Sequence, residues 1–283
     1  MDFIDETEGD LRALIEADFG TLHNELSREV VLNWMHYRAR LIPPRRRCVA
    51  LSAEVEAARV SFPAIDHIKK AMALGEDLSP WLSNRIRKRR SDPKADLMFN
   101  DWQISHFHLG VFERADKVRR GRMLLFAHIT ADDATFLDVQ PHRAWSTQRL
   151  LEILKTTSPH TMPDVGMLAG HSPGFSDEEL GNLRRVGLTT PVKIGDKMYF
   201  PPGLGVSSSC HATRLVLKVN ELERSIRDLA RRLKENDLPS ANKLEMLVLG
   251  RPIRIGLRLR FDGCLVICEK SRALDLIIFA PFA

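Results

Sequence analysis

The hydrophobic period of this chain changes at about Asp101, and that change limits the folds open to it more than any single motif does. Upstream, apolar residues recur every three or four positions. Leu11, Leu14 and Ile15 follow Asp10, and Gly20 breaks the run. Thr21 is placed to cap a second helix striped by Leu22, Leu26, Val30, Trp34 and Tyr37, which Pro43-Pro44 stops. After a short apolar segment around Val49 and Leu51, Ser61-Phe62-Pro63 and Ser79-Pro80 announce two more helices, the latter running through Leu82 and Ile86.

Downstream of Asp101 the period is two. Trp102–Val111, Met123–Ile129 and Ala134–Val139 are predicted strands, the last pair joined by a tight turn at Thr130-Ala131-Asp132-Asp133. Ser146 then caps a predicted helix carrying Leu150, Leu151, Ile153 and Leu154. A long connection over 156–187 holds a short helix near Asp177–Val186. A hairpin follows, Val192–Ile194 and Met198–Phe200 about Gly195-Asp196. The stripe Val216, Val219, Leu222, Ile226, Leu229, Leu233 marks a long helix over 213–236. Finally Ile253, Ile255, Leu257, Leu259 and Phe261 alternate with Arg254, Gly256, Arg258 and Arg260, and Asp262-Gly263 turns the chain into Leu265–Cys268.

The expectation is an α+β protein: a central antiparallel β-meander flanked by an N-terminal helical section and by a C-terminal long helix plus β-hairpin. Three sections are read along the chain: residues 1–95, helical; 96–156, the meander; and 157–283, the hairpin, long helix and final hairpin.

With 44% apolar and 28% charged residues, the 283-residue chain has material for a core and is not a disordered tail. Its longest apolar run, Leu276–Ala283, falls well short of the roughly 18 residues of a membrane helix and contains Pro281. The N-terminus is acidic where a signal peptide would be basic, so a cytoplasmic location and no membrane partner are expected. The four cysteines, Cys48, Cys210, Cys264 and Cys268, form no CxxC pair and read as free thiols.

The net charge of +5 conceals a segregation. Residues 1–30 hold nine acids against Arg12 and Arg28, a net of −7, so the remainder carries +12. Much of that lies in three clusters: Arg38, Arg40 and Arg45-Arg46-Arg47; Arg85, Arg87-Lys88-Arg89-Arg90 and Lys94; Arg114, Lys117, Arg119-Arg120 and Arg122. Such clusters concentrate polyanions and release counterions from phosphates, although solvated helix ends and loops produce the same pattern. The acidic opening is also a candidate to fold over such basic surface as a mimic of nucleic acid. Aromatic residues, at 7%, are too few for an extended base-stacking platform.

The reactive side chains concentrate in the meander: Asp101, His106, His108, Arg114, His128, Asp133, Asp138 and His142, with Trp102 and Trp145 nearby. His106 and His108, two apart in a strand, point to one face. His142 falls just after the third strand, where a turn would swing it to the sheet edge. His128 can face the other side, and Asp138 is a candidate structural acceptor or orienter of His142. Imidazoles beside a basic cluster suit phosphodiester chemistry on RNA. One neutral histidine takes the 2′-OH proton, a protonated one supplies the leaving 5′-oxygen, and arginine holds the charge that builds on phosphorus, with no cofactor or metal in the scheme.

The segment His106-Phe107-His108-Leu109, Leu124–Ile129, Phe136-Leu137-Asp138 and Pro141-His142-Arg143-Ala144-Trp145 resembles the core of RelE/YafQ-type ribonuclease toxins. The resemblance covers residues 102–145 and is one of residue types in order. It implies a compact antiparallel sheet that cuts RNA without metal, a toxin or phage-defence role, and a cognate inhibitor protein as a partner. By it His106 or His108 and His142 take acid/base roles and Trp145 sits where the family has its late aromatic. Arg114 is then the phosphate clamp, and Arg119, Arg120, Arg122 and Arg143 position the strand. The family's members are much smaller than this chain, and Arg114–Arg122 lengthens the loop between the first two strands.

Other readings stand beside it. His106-x-His108-x4-Glu113 resembles the first ligand motif of cupins, which would make this a metal-binding protein, though Val206 stands where that family's fourth ligand belongs. A histidine pair on a half-buried strand is also a common structural rim. A non-catalytic nucleic-acid-binding module would need the arginines alone. The loop Gly203–His211, with Ser208, Ser209 and His211 ahead of the long helix, has the composition of a phosphate grip. It is equally a flexible turn with a capping serine. Arg254, Arg258 and Arg260 form a period-two ladder able to track a phosphate backbone, or a solvated sheet face. The 213–236 stripe offers a homodimer contact or a core face.

Overall fold

The structure, a computed structural model, describes residues 3–83, 86, 96–110, 112–114, 117–118, 121–142, 148–162, 174–235, 237 and 252–279. The elements run β1 (Phe3–Asp5), α1 (Thr7–Phe19), α2 (Arg28–Arg40), β2 (Cys48–Leu51), α3 (Ala53–Ala58), α4 (Ala64–Leu74) and α5 (Leu97–Trp102). Then come β3 (Ile104–His108), β4 (Phe112–Arg114), β5 (Lys117–Val118), β6 (Met123–Ile129), β7 (Asp133–Pro141), α6 (Arg149–Thr157) and α7 (Asp177–Arg185). The chain closes with β8 (Val192–Ile194), β9 (Lys197–Tyr199), α8 (Thr213–Glu235), β10 (Ile253–Leu259), β11 (Leu265–Glu269) and β12 (Leu274–Phe279). The architecture is α+β, as the change of period requires. The chain divides into two compact units that cut across the three sections read along the sequence: Met1–Arg38 with Leu215–Phe282, and Ala39–Arg214.

In the first unit β10, β11 and β12 form an antiparallel meander, and β1 adds to β10 in parallel, Ile4 opposite Arg254. The acidic opening of the chain is therefore part of a sheet. Glu6 pairs with Arg254 at 2.5 Å and with Lys270 at 2.7 Å, and Asp10 pairs with Lys270 at 2.7 Å. The Leu257 N–H donates to Asp10 Oδ2 at 3.0 Å, which closes the edge of β10 beyond the short β1. The second helix starts at Arg28, six residues after the expected stripe begins. Ser27, whose Oγ accepts the Val30 N–H at 3.3 Å, takes the place expected of Thr21. Of the α8 stripe, Val219, Leu222, Leu229 and Leu233 are buried and Val216 and Ile226 half-buried, so most of it belongs to the core of the chain.

The second unit holds the site. Its sheet runs β2-β7-β6-β3, with β3, β6 and β7 an antiparallel meander and β2 parallel to β7. The predicted tight turn closes it, the Thr130 N–H donating to the Asp133 carbonyl at 2.8 Å and the Asp133 N–H to Thr130 Oγ1 at 3.0 Å. Ser52 caps α3 by accepting the Val55 N–H at 3.1 Å, while its hydroxyl donates to the Leu137 carbonyl at 2.6 Å, pinning that helix beside β7. A core of Trp102, Ile104, Leu124, Phe126 and Leu137 packs with Leu150, Leu151, Ile153 and Leu154 of α6. Trp102 is not in the first strand. It ends α5, and Gln103 turns the chain through φ 56° before β3 begins. The α7 helix carries the capping box of Ser176 and Glu179, and its Arg184 makes a buried ion pair with Asp101 at 2.6 Å.

Candidate functional site

Strand parity brings the histidines together. His106 and His108 of β3 lie opposite Phe126 and Leu124 of β6, and these in turn lie opposite Asp138 and Gln140 of β7. One residue beyond the Met123–Pro141 pair, the two strands end in Arg122 and His142, both exposed. The rings follow the backbone: His106 and His108 have centroids 6.2 Å apart, and His108 and His142 5.4 Å apart. His106 and His108 are buried, so the file of imidazoles runs from the interior to the sheet's rim at His142.

At its inner end stands a carboxylate that motif spacing did not mark. Asp96 caps α5 by accepting the Phe99 N–H at 3.2 Å, and its Oδ2 lies 2.5 Å from Arg40 Nη2 and 3.5 Å from His106 Nδ1. Arg214, the residue before α8's first leucine, stacks on the Phe99 ring at 4.5 Å. Burial by itself would raise the Asp96 carboxyl, but the charges of Arg40 and His106 and the hydrogen bonds from Arg40 and Phe99 outweigh it and hold the group below its ordinary value. Burial pushes the His106 imidazole down. Asp96 opposes this, while Arg40 and His142 add to it, so the ring is neutral at pH 7. Burial also brings the Arg214 guanidinium down to about 10, against the pull of Asp96. The site thus pairs an ionised buried carboxylate with two arginines and a neutral imidazole. A small pocket lined by Arg40, Leu82, Ile86, Asp96, Phe99, Ser105 and His106 opens beside it.

The other predicted positions fall as follows. The Arg114 and Glu113 side chains, and Arg119, Arg120, Arg143 and Trp145, lie outside the described residues, as do Ser146 and the basic cluster at 87–94. His128 sits on the same face as His106, opposite Ile104, rather than on the other side. It lines a separate pocket with Trp102, Met162 and Tyr199, and burial, with His160 adding, pushes it down to about 4. Asp138 accepts the Val139 N–H at 2.7 Å and the Gln140 side-chain amide at 2.5 Å, the structural role. Asp133 belongs to the hairpin turn. Among the described residues no three His, Cys, Asp or Glu side chains gather as metal ligands.

The Gly203–His211 loop folds onto its own chain. Its N–H groups at Gly203, Ser207 and Cys210 donate to the carbonyls of Asp101, His211 and Ser207, and the Thr213 N–H at the start of α8 donates to its Gly205 carbonyl. Gly203 lies so close to α5 that a Cβ would stand 1.7 Å from the Asn100 carbonyl oxygen, so packing is what its glycine provides. Ser208 and Ser209 are exposed and His211 is buried. The arginine ladder is neutralised in place: Arg254 pairs with Glu6, Arg258 with Asp275, and Arg260 with Asp262 at 3.1 Å.

Asp96, Arg40 and Arg214 escape motif reading because they lie 10, 66 and 108 positions from His106 in sequence. The one local sign was an aspartate just ahead of Leu97-Met98-Phe99, the signature of a helix cap. Among the described residues no helix is long and apolar enough to cross a membrane. Comparison with family models, with curated proteins and with solved structures returned no match to this chain.

Proposed function

We propose that this protein cleaves RNA by imidazole acid/base chemistry at the rim where β3, β6 and β7 end, as a ribonuclease of toxin or phage-defence type related in its central sheet to RelE/YafQ toxins. The observation that carries the reading is the single file of His106, His108 and His142, with rings 6.2 and 5.4 Å apart, ending in an exposed imidazole beside Arg122.

In this scheme a neutral histidine removes the 2′-OH proton, the 2′-oxygen attacks phosphorus, and the bond to the 5′-oxygen breaks as a protonated histidine delivers its proton there. The products are a 2′,3′-cyclic phosphate and a free 5′-hydroxyl. Placed imidazoles contribute about 10²- to 10⁴-fold each to such proton transfers. Arg122, with Arg114 on β4, supplies charge for the phosphate.

The test is incubation of the purified protein with RNA in excess EDTA. Cleavage that leaves cyclic phosphate ends, lost in His142→Ala, is the expected result. Cleavage only on addition of a metal ion would instead favour the cupin-like set His106, His108 and Glu113. RNA retention without cleavage, unchanged by triple histidine replacement, would favour a binding module.

A further inference from the structure

We propose that Asp96 is the positioning carboxylate of His106 and holds the single proton of that ring on Nδ1. The positioning stands on geometry and does not depend on the RNA-cleavage reading.

Three observations carry the proposal. First, Asp96 Oδ2 approaches His106 at Nδ1, 3.5 Å away. A ring whose Nδ1 faces an ionised carboxylate keeps its proton on that atom, which leaves Nε2 as the basic nitrogen. Second, the carboxylate is fixed from three other directions: Arg40 Nη2 at 2.5 Å, the Phe99 N–H at 3.2 Å, and the field of Arg214 held on the Phe99 ring. Asp96 is buried yet kept ionised, which is costly unless paired in this way. Third, His106 is buried and faces Arg40 as well as Asp96, so the ring stands neutral and carries a single proton, which belongs on the nitrogen that the carboxylate faces.

The decisive measurements are nitrogen-15 spectra of the imidazoles across pH, for the full chain and for Asp96→Asn, which keeps the shape and removes the charge. In the wild-type chain His106 is expected as the Nδ1–H tautomer. In Asp96→Asn that preference is expected to vanish, and the pH at which the His106 ring takes up a proton should fall, because the charge that raises it is gone.

A wild-type His106 carrying its proton on Nε2 would overturn the proposal without any variant having to fold. So would an Asp96→Asn chain whose His106 keeps both the tautomer and the protonation pH of the wild type. A chain that shows the Nδ1–H tautomer but cuts no RNA would overturn the cleavage reading and support the positioning itself.

Discussion

Replacing His128 with glutamine should flatten the acid limb of this protein's stability curve. The His128 imidazole, tucked against Trp102, Met162 and Tyr199, is pushed down from 6.5 to about 4, chiefly by burial. A basic group with a depressed folded-state value contributes stability above its unfolded value and loses it as pH falls toward the folded one, because the unfolded chain takes up the proton first. The window is therefore pH 6.5 down to 4. At 1.36 kcal/mol per unit, the full difference is on the order of 3 kcal/mol, of which about 2 is gone by pH 5. The assay is urea unfolding of both chains at pH 7.5 and pH 5. His106, whose value is also lowered, and every carboxylate contribute equally to the two chains, so the difference between their pH dependences isolates His128. The variant should lose about 2 kcal/mol less on acidification than the parent. Parallel losses in the two would refute the argument that burial holds this ring neutral.

Two further outcomes follow from packing and charge. Gly203→Ala places a methyl 1.7 Å from the Asn100 carbonyl oxygen, so loop and helix must separate by more than an ångström; a loss of roughly 3 kcal/mol in urea unfolding is expected, whereas Gly9→Ala, inside α1 with nothing within 4 Å of its Cβ, should gain about 0.5–1 kcal/mol. Removing one partner from the buried Arg184–Asp101 pair, as in Arg184→Met, should cost about 3–5 kcal/mol, whereas Arg45→Ala, which breaks the exposed pair with Asp132, should stay within about 1 kcal/mol. Equal effects from the two arginines in thermal or urea melts would contradict the role given to burial.

Local pattern accounts for most of the elements. Alternation marked β6, β7, β10 and β11, the stripe marked α8, and Gly195-Asp196 and Thr130–Asp133 marked their turns, because each depends on residues within one turn or one strand of each other. What escaped was short or distant. The α3 and α5 helices have six residues each, too few for a helical period to show, and Trp102 at the end of α5 reads as the first residue of the strand beyond it. The β12 strand, Leu274–Phe279, overlaps the apolar run beginning at Leu276 and shows no alternation of its own there. The parallel additions of β1 to β10 and β2 to β7 join residues about 250 and 85 positions apart, and no local pattern reports such pairing.

The same distinction separates the histidine file from its support. The HxH spacing places two rings on one face wherever the strand lies, and the end of β7 places His142 on that face once β6 and β7 are in register. That face is also the one that packs Leu124 and Phe126 against α6. The rings are consequently drawn into the core, where charge is disfavoured, and an acid/base site needs at least one that is not. The register supplies it by ending β7 at Pro141, so that His142 emerges at the rim. The inner ring, His106, faces Asp96, and that buried carboxylate is tolerated there because Arg40, 56 positions away in sequence on α2, neutralises it. The proposed cleavage can be tested at this end of the sheet. Deleting one residue of β7 at Gln140 inverts the face of His142, so cleavage should be lost while the Asp96–His106 contact, two strands away, persists.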